Sequence, residues 1–182
     1  MRFLRDALVT IAILVVVFLA VGYASLGNLF SATVKPGRME SSLAIEVRNL
    51  FIPADAKRAR NPFGGKKDAW REGADHLGDH CATCHGKDGR GGGEIGPNLC
   101  PRAPDMTRPR TQNLTDGEIF YIISNGVRWT GMPAWKSEHT PEETWHLVSF
   151  IRHLPSLTPA VIEQFETSPR GAPGEMHHHP ER

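Results

Sequence analysis

"HCATCH", residues 80–85, places two histidines and two cysteines in six positions. All four side chains are soft or borderline metal ligands. What they hold decides the fold, because each possible occupant demands something different from the rest of the chain.

Structural zinc needs four ligands in a tetrahedron, usually a C-x₂₋₄-C pair and a second pair some distance away. Here the histidines adjoin the cysteines, a spacing that chelates one ion poorly, and Cys100 stands alone with no second pair. A thioredoxin-like dithiol sits in a βαβ pattern. The run "KDAWREGADHLGDHC", 67–81, reads instead as a helix entering the motif, with Ala69, Trp70, Ala74 and Leu77 at helical spacing. The third occupant is haem, for which C-x-x-C-H is an attachment signal. Two thiols three positions apart on a helical turn, Cys81 and Cys84, reach one edge of a macrocycle, and His85 then faces the iron. His80 lies outside that pattern and is expected at the helix surface or the cofactor edge.

A ring held in this way needs a second axial donor or an open face. Met132 sits in "TGMPAW", 47 residues after His85 and between Trp129 and Trp135. Methionines inside helices fill core gaps; one presented on a Gly/Pro loop is placed to ligate. Its thioether favours ferrous iron and raises the reduction potential. Met106, in a loop beside Pro104, is the weaker choice, and Met39 and Met176 fall outside this region. Two helices flank the loop. Thr115 to Glu118 is a capping box ahead of Ile119, Phe120, Ile122 and Ile123, ended by Asn125-Gly126. Thr140-Pro141-Glu142-Glu143 opens a helix carrying Trp145, Leu147, Val148, Phe150, Ile151 and Leu154, which stops before Pro155.

In chain order, "CATCH", "IGPNL", "TGMPAW" and "EETWHLVSFIRHL" resemble class I, monohaem cytochromes c over roughly residues 66–155. The resemblance implies an all-α fold around one covalent haem c, with the first and last helices crossing near Leu77 and Phe150. It implies Cys81 and Cys84 as covalent anchors, His85 as proximal and Met132 as distal iron ligand. It also implies that the Pro97 carbonyl accepts a hydrogen bond from His85, a contact that orients the ring and tunes its basicity. Such a domain is an electron carrier and not an enzyme. A dedicated haem subunit of a membrane-bound dehydrogenase or terminal reductase is the alternative; redox proteins in or near the membrane are the expected partners. Haem is attached to such motifs outside the cytoplasm, so the domain is expected on the periplasmic side.

Ahead of that region, "ALVTIAILVVVFLAVGYASL", 7–26, is 20 residues without a charge. As a helix it covers about 30 Å, the hydrocarbon thickness of a bilayer. We read it as a single transmembrane anchor behind a cytoplasmic stretch, 1–6. The rival is a cleaved signal, since Gly22-Tyr23-Ala24 offers small residues at cleavage spacing. Residues 27–65 read as a linker with six Lys/Arg against three Asp/Glu. They contain one amphipathic helix, Arg38 to Phe51, whose Leu43, Val47, Leu50 and Phe51 are expected to pack on the globular domain. Residues 156–182 read as a largely disordered extension, opening with a helical turn or two at Val161, Ile162 and Phe165 and ending in "GEMHHHPER", a polar tail.

Charge is nearly balanced, with 21 Lys+Arg against 20 Asp+Glu, so a nucleic-acid partner is not expected. Ten of the 25 residues from Gly86 to Arg110 are Gly or Pro, which predicts a long irregular loop. Cys100 within it reads as a small residue beside the haem. Arg90, Arg102, Arg108, Arg110 and Arg128 bracket the surrounding loops, where one or two of them suit haem propionates. Thr115 is read as a cap and not as part of a glycosylation sequon. His139, His146 and His153 are read as loop and helix-surface residues without a ligand role.

Overall fold

The computed structural model describes residues 2–29, 31, 33–158 and 160–163. The chain divides after Lys35 into two compact units. The first carries α1, Arg2–Leu29, of which Arg2–Leu26 is long and apolar enough to cross a membrane. Its helix thus starts five residues before the uncharged run.

The second unit is helical, with no strand among its described residues. It begins with α2, Arg38–Phe51, and a short α3, Ala54–Arg58. Next comes α4, Ala69–His76, continuing through a π-helical turn, Leu77–Cys81, into α5, Ala82–His85. A loop follows, with a 3₁₀ turn at Gly96–Asn98 and a short α6, Pro109–Gln112. The last long elements are α7, Asp116–Asn125, and α8, Pro141–His153, which runs into a 3₁₀ turn, Leu154–Ser156. Both expected capping boxes are present. Thr115 and Glu118 exchange bonds of 2.7 and 3.2 Å at the start of α7, and Thr140 and Glu143 bonds of 2.7 and 3.3 Å at the start of α8.

The core lies where α4 crosses α8. Leu77, Leu147, Val148 and Phe150 are all but fully buried there, with Ile119 and Ile123 of α7 against them. The crossing is close because Gly73 has no side chain. A Cβ at that position would lie 2.0 Å from the His146 carbonyl oxygen and 2.8 Å from the Phe150 Cβ. Polar contacts fasten the same crossing. His146 Nδ1 bonds the Ala69 carbonyl at 2.8 Å, its Nε2 lies 3.1 Å from Glu72, and its ring stacks on Phe63. His146 is therefore buried, contrary to the surface position read from sequence, because it faces α4. His139 is buried as well. Only His153 stays partly exposed, its ring stacked on Trp70 at 4.4 Å.

Residues 52–63 pack onto the helices that follow them. Ile52 is buried, and Asn61 Nδ2 donates to the Trp145 carbonyl and to Ser149 Oγ at 3.1 and 2.9 Å. Arg152 on α8 draws in the α6–α7 junction, with Nε on Asp116 at 2.7 Å, Nη1 on the Gln112 carbonyl at 2.7 Å and Nη2 on the Leu114 carbonyl. The α2 stripe does not pack as expected. Leu43, Val47, Leu50 and Phe51 are 67, 44, 75 and 75% exposed, because α2 presents Ala44, Ile45 and Arg48 to the cleft instead. Val161 and Ile162 are half-buried in a helical turn at 160–163, whereas Phe165 and the tail with Met176 and His177–His179 lie outside the described residues.

Gly73→Ala is expected to cost at least about 3 kcal/mol, the upper end of ordinary overpacking, since backbone and not a flexible side chain blocks the new methyl. Denaturant unfolding of the two proteins measures it. An unchanged midpoint would show that the crossing has room to spare.

Candidate functional site

The π turn and α5 end the long helical run with Cys81, Cys84 and His85 on one side of it. Gly86, at φ +72°, terminates the helix directly after His85. The Gly/Pro-rich loop then folds back beneath the motif. Gly91 N–H donates to the His85 carbonyl at 2.7 Å and Ile95 N–H to the Thr83 carbonyl at 3.1 Å. A Cβ on Gly96 would lie 1.9 Å from the Cys84 carbonyl oxygen, so only glycine permits this return.

Met132 reaches the site from the turn between α7 and α8. Val127 N–H donates to the Met132 carbonyl at 3.0 Å. Thr130 braces the turn from inside: its hydroxyl accepts from Met132 N–H at 3.1 Å and donates to the Val127 carbonyl at 2.7 Å. Trp135 packs against the core, whereas Trp129 is 90% exposed in the left-handed region, φ 60°. The two tryptophans therefore do not flank Met132 symmetrically. Only Trp135 lines the site.

Cys81, Cys84, His85 and Met132 line one cleft. Leu99, Met106, Ile119, Ile122, Ile123 and Val127 make most of its remaining wall apolar. The cleft is an open one, and its lining reaches from the motif across to the Met132 turn and α7. An apolar wall that extended suits a large planar cofactor better than a single ion. The donors suit the same group: two thiols, an imidazole and a thioether on one apolar wall. Burial, and then the charge of Cys84, pushes the Cys81 thiol up to about 12. A redox-active dithiol or a zinc ligand is instead held as thiolate. Burial also holds His85 below the ordinary histidine value, against a weaker raising influence from the Pro104 carbonyl. The ring is thus a neutral imidazole, the form that binds metal, and its Nδ1 is buried without a hydrogen-bond partner. Taken together, the residues present fit a covalently held haem.

The structure separates the other residues singled out by sequence. The carbonyl that acts on the His85 ring is that of Pro104, which lines the cleft with it, although His85 Nδ1 is left without a hydrogen-bond partner. The Pro97 contact implied by the resemblance is not made, because Pro97 sits exposed in the 3₁₀ turn that Gly96 pins beneath Cys84. Met106 lies in the wall as a buried core residue, its N–H on the Gly89 carbonyl. Cys100 is exposed, while its neighbours Leu99 and Pro101 line the cleft. His80 is an exposed residue at the cleft wall, as expected. Of the five arginines, Arg102 and Arg110 line the cleft. Arg90 pairs with Asp88, Arg108 with Asp105, and Arg128 lies over Trp129. The sequence reading missed Arg48. It comes from α2, half-buried, and burial together with the charge of Arg110 lowers its pKa, opposed by Glu118. A second face on α2, with Ala44, Ile45 and Arg48 opposite the stripe, was the available signal.

Residues 68–151 match the family model for the cbb3-type cytochrome c oxidase subunit III. The cbb3-type cytochrome c oxidase subunit FixP of Azorhizobium caulinodans is 31% identical over 99 residues. Those residues are 50% of this chain and 29% of that protein, so the chain spans less than a third of its relative's length. The match begins at α4 and ends within α8, which leaves α2 and its cleft-lining residues outside it.

Acid sensitivity follows from the buried histidine near the cleft. Burial, and then the charges of His80 and His76, holds His139 below its ordinary value, against Glu143 and Glu138. With an unfolded value of about 6.5, the unfolded chain takes up the proton first. The stabilisation from keeping His139 neutral is complete above about pH 6.5 and is lost as the pH falls through the lower folded value. Thermal melts in metal-free buffer are expected to show a flatter decline from about pH 7 to 5 for His139→Gln than for the parent. Parallel declines would refute the assignment.

Proposed function

We propose that this chain is a membrane-tethered, monohaem c-type cytochrome that passes single electrons between redox partners. Cys81 and Cys84 would hold a haem covalently through thioether bonds, and His85 and Met132 would supply the imidazole and thioether donors to its iron. The observation that carries the reading is the convergence of all four side chains on one apolar cleft, although Met132 is 47 residues away from His85 in the chain. The bound group supplies an iron that alternates between ferric and ferrous states, at a potential raised by His/Met ligation.

The protein's part is to hold the donors still. Thr130 and Val127 fix the Met132 backbone, and the glycine-rich return fixes α5 from below. With His85 and Met132 both given to the iron, the site would be left to carry electrons and not to bind a substrate. Arg48, Arg102 and Arg110 offer guanidinium donors for the carboxylates such a cofactor carries. Attachment of haem outside the cytoplasm puts the domain on the periplasmic side of the membrane that α1 spans. Tethering confines it to the membrane plane and raises its effective concentration near membrane-bound partners.

A specific observation favours a second reading, a dedicated subunit of a membrane-bound oxidoreductase rather than a roaming carrier. The apolar stripe of α2 is exposed and not spent on its own domain, and exposed apolar patches of this kind mark interaction sites. The relative named above, itself an oxidase subunit, points the same way.

Optical spectra with and without carbon monoxide test the ligand set. The parent is expected to be low-spin and resistant to carbon monoxide in the ferrous state, and Met132→Ala to bind it readily. Ready binding by the parent would overturn the assignment of Met132. Thr130→Val, which removes the hydroxyl bracing the Met132 turn, is expected to fall between the two; behaviour identical to the parent would show that the brace is dispensable.

A further inference from the structure

Beside the cleft lies a second group of ligating side chains that electron transfer does not use. His76 and His80 sit four positions apart across the end of α4 and the π turn, and His139 and Glu143 four apart across the start of α8. The packing of α4 on α8 brings the pairs together. The His139 ring lies between the other two, with centroids 5.5 Å from His76 and 5.0 Å from His80. His76 Nε2 lies 3.9 Å from Glu143 Oε1.

His139 is the residue that asks for an occupant. It is 6% exposed, and neither ring nitrogen has a hydrogen-bond partner. A buried polar group left unpaired is costly, and the neighbour packed beside it at 5.2 Å is the Trp135 ring. Three imidazoles also repel one another when protonated, so the cluster is best satisfied by a cation that binds them neutral.

We propose that His76, His80 and His139 form a binding site for a zinc-class divalent cation, with the Glu143 carboxylate as the fourth donor. Two histidines at i and i+4 on one helical face are a known zinc-binding spacing. Three histidines with one oxygen donor match the tetrahedral, nitrogen-rich shell that zinc takes. Among the described residues no three donors already hold coordination geometry. His139 is fixed by its burial, and the shell closes when half-buried His76 and exposed His80 turn about their side-chain torsions. His80 also opens the site to solvent, which gives the ion its way in. The site shares no donor with the proposed haem ligands, so either proposal stands if the other fails.

Zinc is the right probe because it is redox-inert. The test is isothermal titration of the full-length haem protein with Zn²⁺ alone. A His177→Ser, His178→Ser, His179→Ser background removes the competing histidine tract in every arm. One saturable site per chain is expected, weakened at least about tenfold by each of His76→Asn, His80→Asn and His139→Gln. Zn²⁺ is also expected to raise the melting temperature of the parent and not of the variants, since only the folded state assembles the site. His76 and His80 are at least partly exposed, so their variants keep the test decisive should His139→Gln fold poorly. Absence of a saturable site, or affinity unchanged in either the His76 or the His80 variant, overturns the proposal.

Discussion

The contact between Gly73 and the His146 carbonyl sets the geometry on which the rest depends. With no Cβ at Gly73, the backbones of α4 and α8 approach until Leu77, Leu147, Val148 and Phe150 close into one core. That crossing fixes where the C-terminal end of the α4–α5 run points, and so where Cys81, Cys84 and His85 sit. It also fixes the start of α8, which terminates the loop carrying Met132. A helix pair held farther apart would still be two helices, but the two halves of the site would no longer share a wall.

Around that frame the environment does the electrostatic work. Burial keeps the Cys81 thiol protonated and the His85 imidazole neutral, so the site presents uncharged donors in an apolar cleft. Charge is kept to the rim, where Arg48, Arg102 and Arg110 gather. The Met132 turn owes its shape to backbone bonds and one hydroxyl, not to the symmetric pair of tryptophans that the sequence suggests. Trp129 stands out in solvent, in a backbone conformation uncommon for a non-glycine residue.

Helix α2 joins the two themes. One face completes the cleft with Ala44, Ile45 and Arg48; the other leaves Leu43, Val47, Leu50 and Phe51 uncovered. A helix beyond the matched region thus contributes to the cleft wall on one side and leaves an uncovered apolar surface on the other. Any partner seated on that stripe would press on the same helix that supplies Arg48.

The sequence by itself determined the elements and the chemistry of the motif. Capping boxes at Thr115 and Thr140, the apolar run of α1 and the C-x-x-C-H spacing all act over a few residues, so they are legible without a fold. Local composition also set Met132, on a Gly/Pro turn, apart from Met106, which the structure buries in the core while both line the cleft. Tertiary structure alone decided which face of α2 turns inward, that Pro104 and not Pro97 approaches His85, and that His139 and His146 are buried. Each of those outcomes depends on what two distant segments do when the α4–α8 crossing brings them together. An amphipathic pattern says that a helix has a buried face; only the shape of its neighbour says which one.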